Sequence, residues 1–135
     1  MRVLATTEDD RRVIAERWAT QDALVAVLFC AAWCDTCTEF RAPLERIAAT
    51  HPDVVFVWLD IEDDSDVCGD VDVENFPTLA IFRGASLLHF GISLPQEGTV
   101  ARLVEQFAEH AVPMAAPPAA VMQVASQLRE LRPRP

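Results

Sequence analysis

The sequence predicts an α/β sandwich in which helices flank a central mixed sheet, with a further helix in the C-terminal tail. Two apolar runs, at 23–32 and 54–61, are separated by a segment whose apolar residues recur at helical spacing. Two shorter apolar runs, at 77–82 and 86–90, are separated by Arg83-Gly84-Ala85, as in a hairpin. The order strand, helix, strand, helix, hairpin, helix implies a mixed sheet.

The first helix is predicted to begin after Thr7 and to end near Trp18. Thr7 is a favourable N-cap residue, and the three acidic residues after it lie where the positive end of a helix stabilises negative charge. The following run, 23–32, is too continuous for a strand with one face in water. We therefore expect a central strand that is covered on both faces.

The second helix is predicted to follow Cys34 and to end near Thr50. Its apolar residues recur at helical spacing, with charged residues between them: Phe40, Leu44 and Ile47. After a turn at 51–53, the run 54–61 is rich in branched and aromatic residues, which predicts a second buried strand.

An acidic stretch at 62–66 is interpreted as a solvated loop that leads into a short helix at about 65–71. It lacks the ligand spacing and the glycine of a calcium-binding loop. The hairpin follows, and four apolar residues at helical spacing then predict the last helix of the core: Val100, Leu103, Val104 and Phe107.

We expect one domain over residues 1–112, followed by a proline-rich linker and an amphipathic tail over 113–135. Three prolines interrupt the helical pattern: Pro113, Pro117 and Pro118. Beyond them, five apolar residues fall on one helical face: Val121, Val124, Ala125, Leu128 and Leu131. Either this helix packs on its own domain or frays from it, or it forms a contact surface for a homodimer or another partner.

Charge and composition exclude several classes of protein. The formal net charge of −10 opposes binding to nucleic acid and to anionic membrane surfaces. No stretch resembles a signal peptide or is long enough to cross a bilayer, so we expect a cytoplasmic protein. The four cysteines are too few and too unevenly spaced for a disulfide-stapled secreted scaffold. A close cysteine pair in a reducing compartment indicates redox or metal chemistry.

The chemistry is predicted to reside where the first strand ends and the second helix begins, in Trp33-Cys34-Asp35-Thr36-Cys37. The N-terminus of a helix offers unpaired N–H groups and a positive partial charge, which stabilise a thiolate at Cys34. Cys37 lies one turn further along, close enough to form a disulfide with Cys34. The first sulfur is thus placed to attack a substrate disulfide, and the second to resolve the resulting intermediate.

From Arg2 to His110, the sequence resembles the thioredoxin family. Trp-Cys-x-x-Cys follows an apolar strand, and Phe76-Pro77-Thr78 follows 40 residues after Cys37, where the family carries a cis-proline that helps to hold substrate backbone. Gly84 and Gly91 also match family positions. The resemblance implies a thioredoxin-like three-layer sandwich and a protein disulfide reductase without organic cofactor or metal. A thioredoxin-reductase-type or other dithiol partner would recycle it.

On this resemblance, five residues are expected to contact the substrate: Trp33, Asp35, Thr36, Phe76 and Pro77. The chain departs from the family's pattern in several ways. Asp35-Thr36 replaces Gly-Pro, and Cys30 replaces a large aromatic residue. Leu28 stands where the family has a buried acid, and Trp58 where it has the partnering lysine. These last two departures predict an intact dithiol that lacks the usual base near Cys37.

Other candidate residues have simpler interpretations. Cys30 and Cys68 are expected to be small buried hydrophobes, although Cys30 is also a candidate third redox thiol. A zinc site would need two more ligands at compact spacing, which these cysteines and the histidines do not provide. The three histidines are interpreted as structural or solvated: His51, His89 and His110. The alternative function is a non-catalytic thioredoxin-like binding module or chaperone.

Overall fold

The polypeptide alternates between strands and helices over most of its length. The structure, a computed structural model, describes residues 2–93 and 95–130. Its elements are α1 (Glu8–Arg17), β1 (Leu24–Cys30), α2 (Asp35–Thr50), β2 (Val54–Asp60), α3 (Ser65–Cys68), β3 (Thr78–Arg83), β4 (Ser86–Ile92), α4 (Glu97–Glu109) and α5 (Ala119–Arg129).

The four strands form one mixed sheet in the order β2-β1-β3-β4. β1 runs parallel to β2 and antiparallel to β3, and β3 and β4 form an antiparallel hairpin with a register shift between Ile81 and Phe82. All seven residues of β1 are buried, which confirms the prediction of a central strand covered on both faces.

The alternating side chains of β1 divide the core into two layers. Val25, Val27 and Phe29 belong to a cluster that includes residues of α1, α3 and α5. The intervening side chains, which end with Cys30, belong to a second cluster that includes residues of α2 and α4. Helices therefore cover both faces, and the predicted three-layer sandwich is confirmed.

Local signals explain most element boundaries. The hydroxyl of Thr7 accepts a hydrogen bond from the backbone N–H of Asp10 at 3.2 Å, as expected for an N-cap residue. The third helix ends at Cys68, earlier than predicted, because Gly69 adopts φ 54 and ψ −125, which other residues rarely adopt. β4 continues beyond the predicted residue 90 to Ile92, because Ile92 still pairs with Thr78 of β3.

The tail helix α5 packs on the same chain, against α1 and α3. Four of its five predicted apolar residues are buried in the α1/α3/α5 layer: Val121, Val124, Ala125 and Leu128. The fifth, Leu131, lies outside the described residues. The backbone N–H of Met114, in the linker, donates to the carbonyl of Leu87 in β4 at 2.9 Å. These contacts favour packing of the tail helix on the same chain, while the domain boundary at residue 112 stays a prediction.

No helix within the described ranges is both long and apolar enough to cross a membrane.

Candidate active site

Cys34 occupies the N-cap position of α2, directly after the turn that follows β1. Its backbone N–H donates to the carbonyl of Ala31 at 3.0 Å, and its carbonyl accepts from the N–H of Thr38 at 3.1 Å. The side chain is half-buried and makes no capping hydrogen bond. The sulfur therefore lies at the positive end of a 16-residue helix.

Cys37 lies one helical turn further along and is only 1% exposed. Burial raises the pKa of its thiol, because the thiolate loses its hydration. The neighbouring thiols of Cys30 and Cys34 also influence this pKa. The two predicted redox residues are thus brought together, with one sulfur accessible and the other enclosed.

Cys30 is the last residue of β1, and its side chain is fully buried in the same cluster as Cys37. Burial strongly raises the pKa of this thiol, and the neighbouring cysteines raise it further. Cys30 is therefore a buried core residue, as predicted, and its role as a third redox thiol stays a prediction.

Trp33 and Phe76 form an aromatic pair beside the cysteines. The ring of Trp33 is 63% exposed and meets the half-buried ring of Phe76 edge to face, with centroids 5.3 Å apart. The indole Nε1–H donates to Oε1 of Glu62 at 3.1 Å. The Phe76-Pro77 peptide bond is cis, as the resemblance implies, and Pro77 itself is buried. Asp35 and Thr36 are exposed on the first turn of α2.

Leu28 and Trp58 are neighbours across the parallel β1/β2 pair. Leu28 is 1% exposed and packs in the cluster that holds Cys37. Trp58 is half-buried, and the guanidinium of Arg41 lies over its ring, 4.9 Å from the centroid. These two positions therefore provide apolar packing and no proton acceptor.

The loop between β2 and β3 is strongly acidic, and no arginine or lysine occurs between positions 47 and 82. Two acids at the start of this segment have structural roles. The carboxylate of Asp60, the last residue of β2, accepts from the N–H of Glu62 at 2.8 Å, and the carboxylate of Asp64 accepts from the N–H of Asp60 at 2.8 Å. A groove of about 470 Å3 opens here, lined by Thr6, Ala31, Ala32, Thr38, Arg41, Trp58, Asp60, Asp63 and Asp64. Because Asp60, Asp63 and Asp64 line this groove, the surface next to the dithiol is largely negative.

His51 and His89 have structural surroundings, and His110 is exposed. His51 ends α2, and its ring contacts the carbonyl of Ile47 and the carboxylate of Glu105, each at 2.9 Å. The Glu105 hydrogen bond raises the pKa of His51. His89 packs against Phe107, and burial lowers the pKa of its imidazole.

Cys68 lies in the α1/α3/α5 layer, and burial raises the pKa of its thiol to about 12. Across residues 2–93 and 95–130, no three His, Cys, Asp or Glu side chains lie close enough together to hold a metal ion.

Sequence reasoning missed the hydrogen bond that connects Trp33 to Glu62. Glu62 lies in a run of acidic residues, and its spacing carries no signal that separates it from its solvated neighbours. The contact arises only because the loop folds back toward the N-terminus of α2.

Comparisons with known proteins agree with the geometry. Residues 4–105 match the thioredoxin family model. Over 66 residues, the chain is 36% identical to thioredoxin-2 of Saccharomyces cerevisiae, and the aligned region covers 49% of this chain and 64% of that protein. Over 116 residues, it is 29% identical to putative thioredoxin 2 of Streptomyces coelicolor, and the aligned region covers 86% of this chain and 71% of that protein. The chain thus spans slightly less than two thirds of the yeast relative.

Solved structures show the same fold. Thioredoxin from Trypanosoma brucei brucei aligns with a TM-score of 0.61 at 25% identity, covering 79% of this chain and 91% of that chain. Thioredoxin from Fasciola hepatica aligns with a TM-score of 0.62 at 24% identity, covering 78% and 98%. The predicted thioredoxin-like fold is therefore confirmed. Since the family model spans the sheet, the cysteine pair and Pro77, the chain belongs to the thioredoxin family.

Proposed function

We propose that this protein is a thiol-disulfide oxidoreductase that reduces protein disulfides through Cys34 and Cys37. Thioredoxin family membership supports thiol-disulfide chemistry in general. The observation that carries the specific assignment is the pair itself. A half-buried thiol lies at the N-cap position of α2, and a buried thiol lies one turn further along the same helix.

In the first step, the Cys34 thiolate attacks one sulfur of a substrate disulfide. A Cys34–substrate S–S bond forms and the substrate S–S bond breaks, so the other substrate sulfur leaves as a thiolate with the electron pair. The helix N-terminus favours the attacking thiolate, and the partial exposure of Cys34 gives the substrate access.

In the second step, Cys37 loses its proton to solvent and its thiolate attacks the Cys34 sulfur. The Cys34–Cys37 bond forms while the Cys34–substrate bond breaks, which releases the second substrate thiolate. The dithiol has then lost two electrons, and the substrate disulfide has gained them. These steps use neither a metal nor an organic cofactor. A thioredoxin-reductase-type or other dithiol partner would return the electrons, and the reducing direction fits the cytoplasm.

The substrate segment is proposed to lie across Trp33, Phe76 and Pro77. The exposed Trp33 ring and the half-buried Phe76 ring offer apolar area beside Cys34, and Asp35 and Thr36 offer polar contacts on the first turn of α2. An exposed aromatic ring next to a reactive sulfur is typical of a contact surface.

The test is a trapping experiment in cells with Cys37→Ser, which allows attack but prevents resolution. Disulfide-linked complexes should accumulate and should dissociate on reduction. They should disappear in the Cys34→Ser, Cys37→Ser double variant. Cys68→Ser is the matched control, because this buried cysteine lies in the other core layer, and it should trap nothing. If no complex depends on Cys34, the proposal is wrong.

The exposed Trp33 ring also favours a second candidate, a non-catalytic binding module or chaperone that holds partners on the same surface. A disulfide reduction assay with the purified protein and a thioredoxin reductase separates the two. Turnover supports the oxidoreductase. Partner binding that survives the Cys34→Ser, Cys37→Ser double variant, without any turnover by the unmodified protein, supports the binding module.

A further inference from the structure

Exposed apolar side chains are concentrated around the dithiol. Within the described part of the chain, the large apolar residues that are exposed are Trp33, Ile92 and Val112. Ile92 lies beside Pro77, because the N–H of the next residue, Ser93, donates to the Pro77 carbonyl at 3.0 Å. Two of these three side chains therefore border the site, as expected of a contact surface. The apolar surface beside Cys34 comprises three side chains around Pro77: Trp33, Phe76 and Ile92.

The segments that border this apolar surface carry exposed acids. Four of them form an acidic rim: Asp35, Glu62, Asp63 and Glu74. Asp35 is the first residue of α2 and follows Cys34 directly. The carboxylate of Glu62 accepts from the Trp33 indole at 3.1 Å, and Asp63 lines the adjacent groove. Glu74 lies two residues before Phe76. Negative charge is thus placed beside both exposed rings and the nucleophile.

Positive charge is scarce in the same region. The stretches 18–40 and 47–82, which contain both cysteines and both aromatic rings, hold three and nine acids, and neither contains arginine or lysine. Arg41 lines the groove, but its guanidinium lies over the Trp58 ring and within 3.9 Å of the Glu45 carboxylate. Among residues 2–93 and 95–130, no salt bridge involves the acidic rim. Its charge is therefore available to a partner.

We propose that this surface selects protein disulfides that are flanked by arginine or lysine residues. The inference rests on the proposed function and names its substrate class. The apolar surface holds the substrate segment beside Cys34, while the acidic rim attracts positive side chains next to the substrate cysteine. The same rim and the net charge of −10 repel acidic segments. The sulfur exchange is the one described above, and charge acts on the approach of the substrate.

The expected effect depends on salt. Electrostatic attraction raises the local concentration of an oppositely charged substrate, and association rates rise by about 10–10³-fold when ionic strength is low. The Debye length falls from about 30 Å at 0.01 M salt to about 3 Å at 1 M. We therefore expect a basic substrate to react at least about tenfold faster than an acidic one at low salt, and nearly equally fast at high salt.

The test uses three short peptides that share one cysteine and one leucine. They differ only in the two residues that flank this pair, which are arginine, glutamine or glutamate. Each cysteine is activated as a mixed disulfide with 2-thiopyridine. When Cys34 attacks the peptide sulfur, a Cys34–peptide S–S bond forms, and pyridine-2-thione leaves with the electron pair and is followed by its absorbance. Each rate is divided by the rate with 2-mercaptoethanol, which corrects for the intrinsic reactivity of the peptide.

Two double variants with equal loss of charge test the location. Asp63→Asn, Glu74→Gln removes two charges of the acidic rim. Asp53→Asn, Glu109→Gln is the matched control at the opposite end of the sheet: Asp53 is exposed and precedes β2, and the exposed Glu109 ends α4 near Arg83 of β3. The rim variant should lower the ratio of basic to acidic rates at least about threefold. The control variant should change this ratio much less.

A ratio close to one in the unmodified protein at low salt would overturn the proposed selectivity. So would a ratio that does not decrease with salt, or an equal decrease in both double variants. The dithiol mechanism has a separate test in the same assay. If Cys34→Ser releases pyridine-2-thione as fast as the unmodified protein, the assignment of Cys34 as the nucleophile is itself wrong, whatever the ratio.

Discussion

Leu28→Asp would place a carboxyl group in the buried layer that holds Cys37. Leu28 is 1% exposed and pairs with Trp58 on one side and Leu79 on the other. A carboxylate there could accept the proton that Cys37 must lose before it attacks. Leu28 and Trp58 offer no proton acceptor in the unmodified protein. We therefore expect Cys37 to resolve the Cys34–substrate disulfide slowly, so that this mixed disulfide is long-lived.

The substitution should also destabilise the fold. Loss of a fully buried leucine side chain removes about 2 kcal/mol of burial free energy, and enclosing an unpaired carboxyl adds about 1–3 kcal/mol. The sum of about 3–5 kcal/mol is a large part of the usual free energy of unfolding of a domain, about 5–15 kcal/mol. Burial would also raise the pKa of the new carboxyl, so only part of it would be ionised at neutral pH.

A well-placed general base accelerates a proton transfer by about 10²–10⁴-fold. Incomplete ionisation reduces this gain. In a stopped-flow reaction with 5,5′-dithiobis(2-nitrobenzoate), attack by Cys34 releases one coloured thiolate in a first phase, and resolution by Cys37 releases a second in a later phase. We expect this second phase to become at least about tenfold faster. The first phase should change little, because Cys34 lies at the mouth of the site. Leu28→Asn is the matched control: it buries a polar group of the same shape that cannot take a proton at neutral pH.

The two variants should therefore lose similar stability in a melting experiment, while only Leu28→Asp accelerates resolution. Equal second-phase rates in the two folded variants would refute the argument. A second phase in the unmodified protein as fast as that of an ordinary thioredoxin would refute it too.

Two further predictions concern packing and pH. In a urea titration, Leu128→Ala should lower the free energy of unfolding by about 2–5 kcal/mol, because Leu128 is buried in the α1/α3/α5 layer. Gln127→Ala is the control: Gln127 is exposed, so this substitution should change the free energy of unfolding by less than about 0.5 kcal/mol. Glu105 raises the pKa of His51. Their contact therefore contributes its full stabilisation below the ordinary histidine pKa of about 6.5, and this contribution is lost as pH rises through the raised pKa of His51. The stability difference between the unmodified protein and Glu105→Gln should follow this dependence, and a difference independent of pH would contradict it.

Much of the fold could be predicted because its local signals agree with its tertiary contacts. The N-cap at Thr7, the continuous apolar run of β1 and the helical spacing after Cys34 each indicate the element that forms. The sequence pattern predicted too long an α3. The end of so short a helix depends on the backbone conformation of a single residue, and Gly69 ends it after Cys68. The pattern underestimated β4, because Ile92 is held by its partner strand and not by its own pattern.

The pair Cys34 and Cys37 could be predicted because a strand-to-helix junction fixes both positions. Strand alternation also predicts that Cys30 lies in the same buried layer as Cys37. Cys30 lies two residues after Leu28, so both face α2, the helix that carries Cys37. The contact between Trp33 and Glu62 could not be predicted, because it depends on the path of an irregular loop.

The two departures at Leu28 and Trp58 are best understood together. Removing one partner of a buried charge pair leaves the other charge unpaired and lowers the free energy of unfolding by about 3–5 kcal/mol. Replacing both partners by apolar groups is often neutral or stabilising. In this chain both positions are apolar and adjacent across β1 and β2, and the guanidinium of Arg41 lies over the Trp58 ring. The layer beneath the dithiol is thus internally consistent, but it lacks a base.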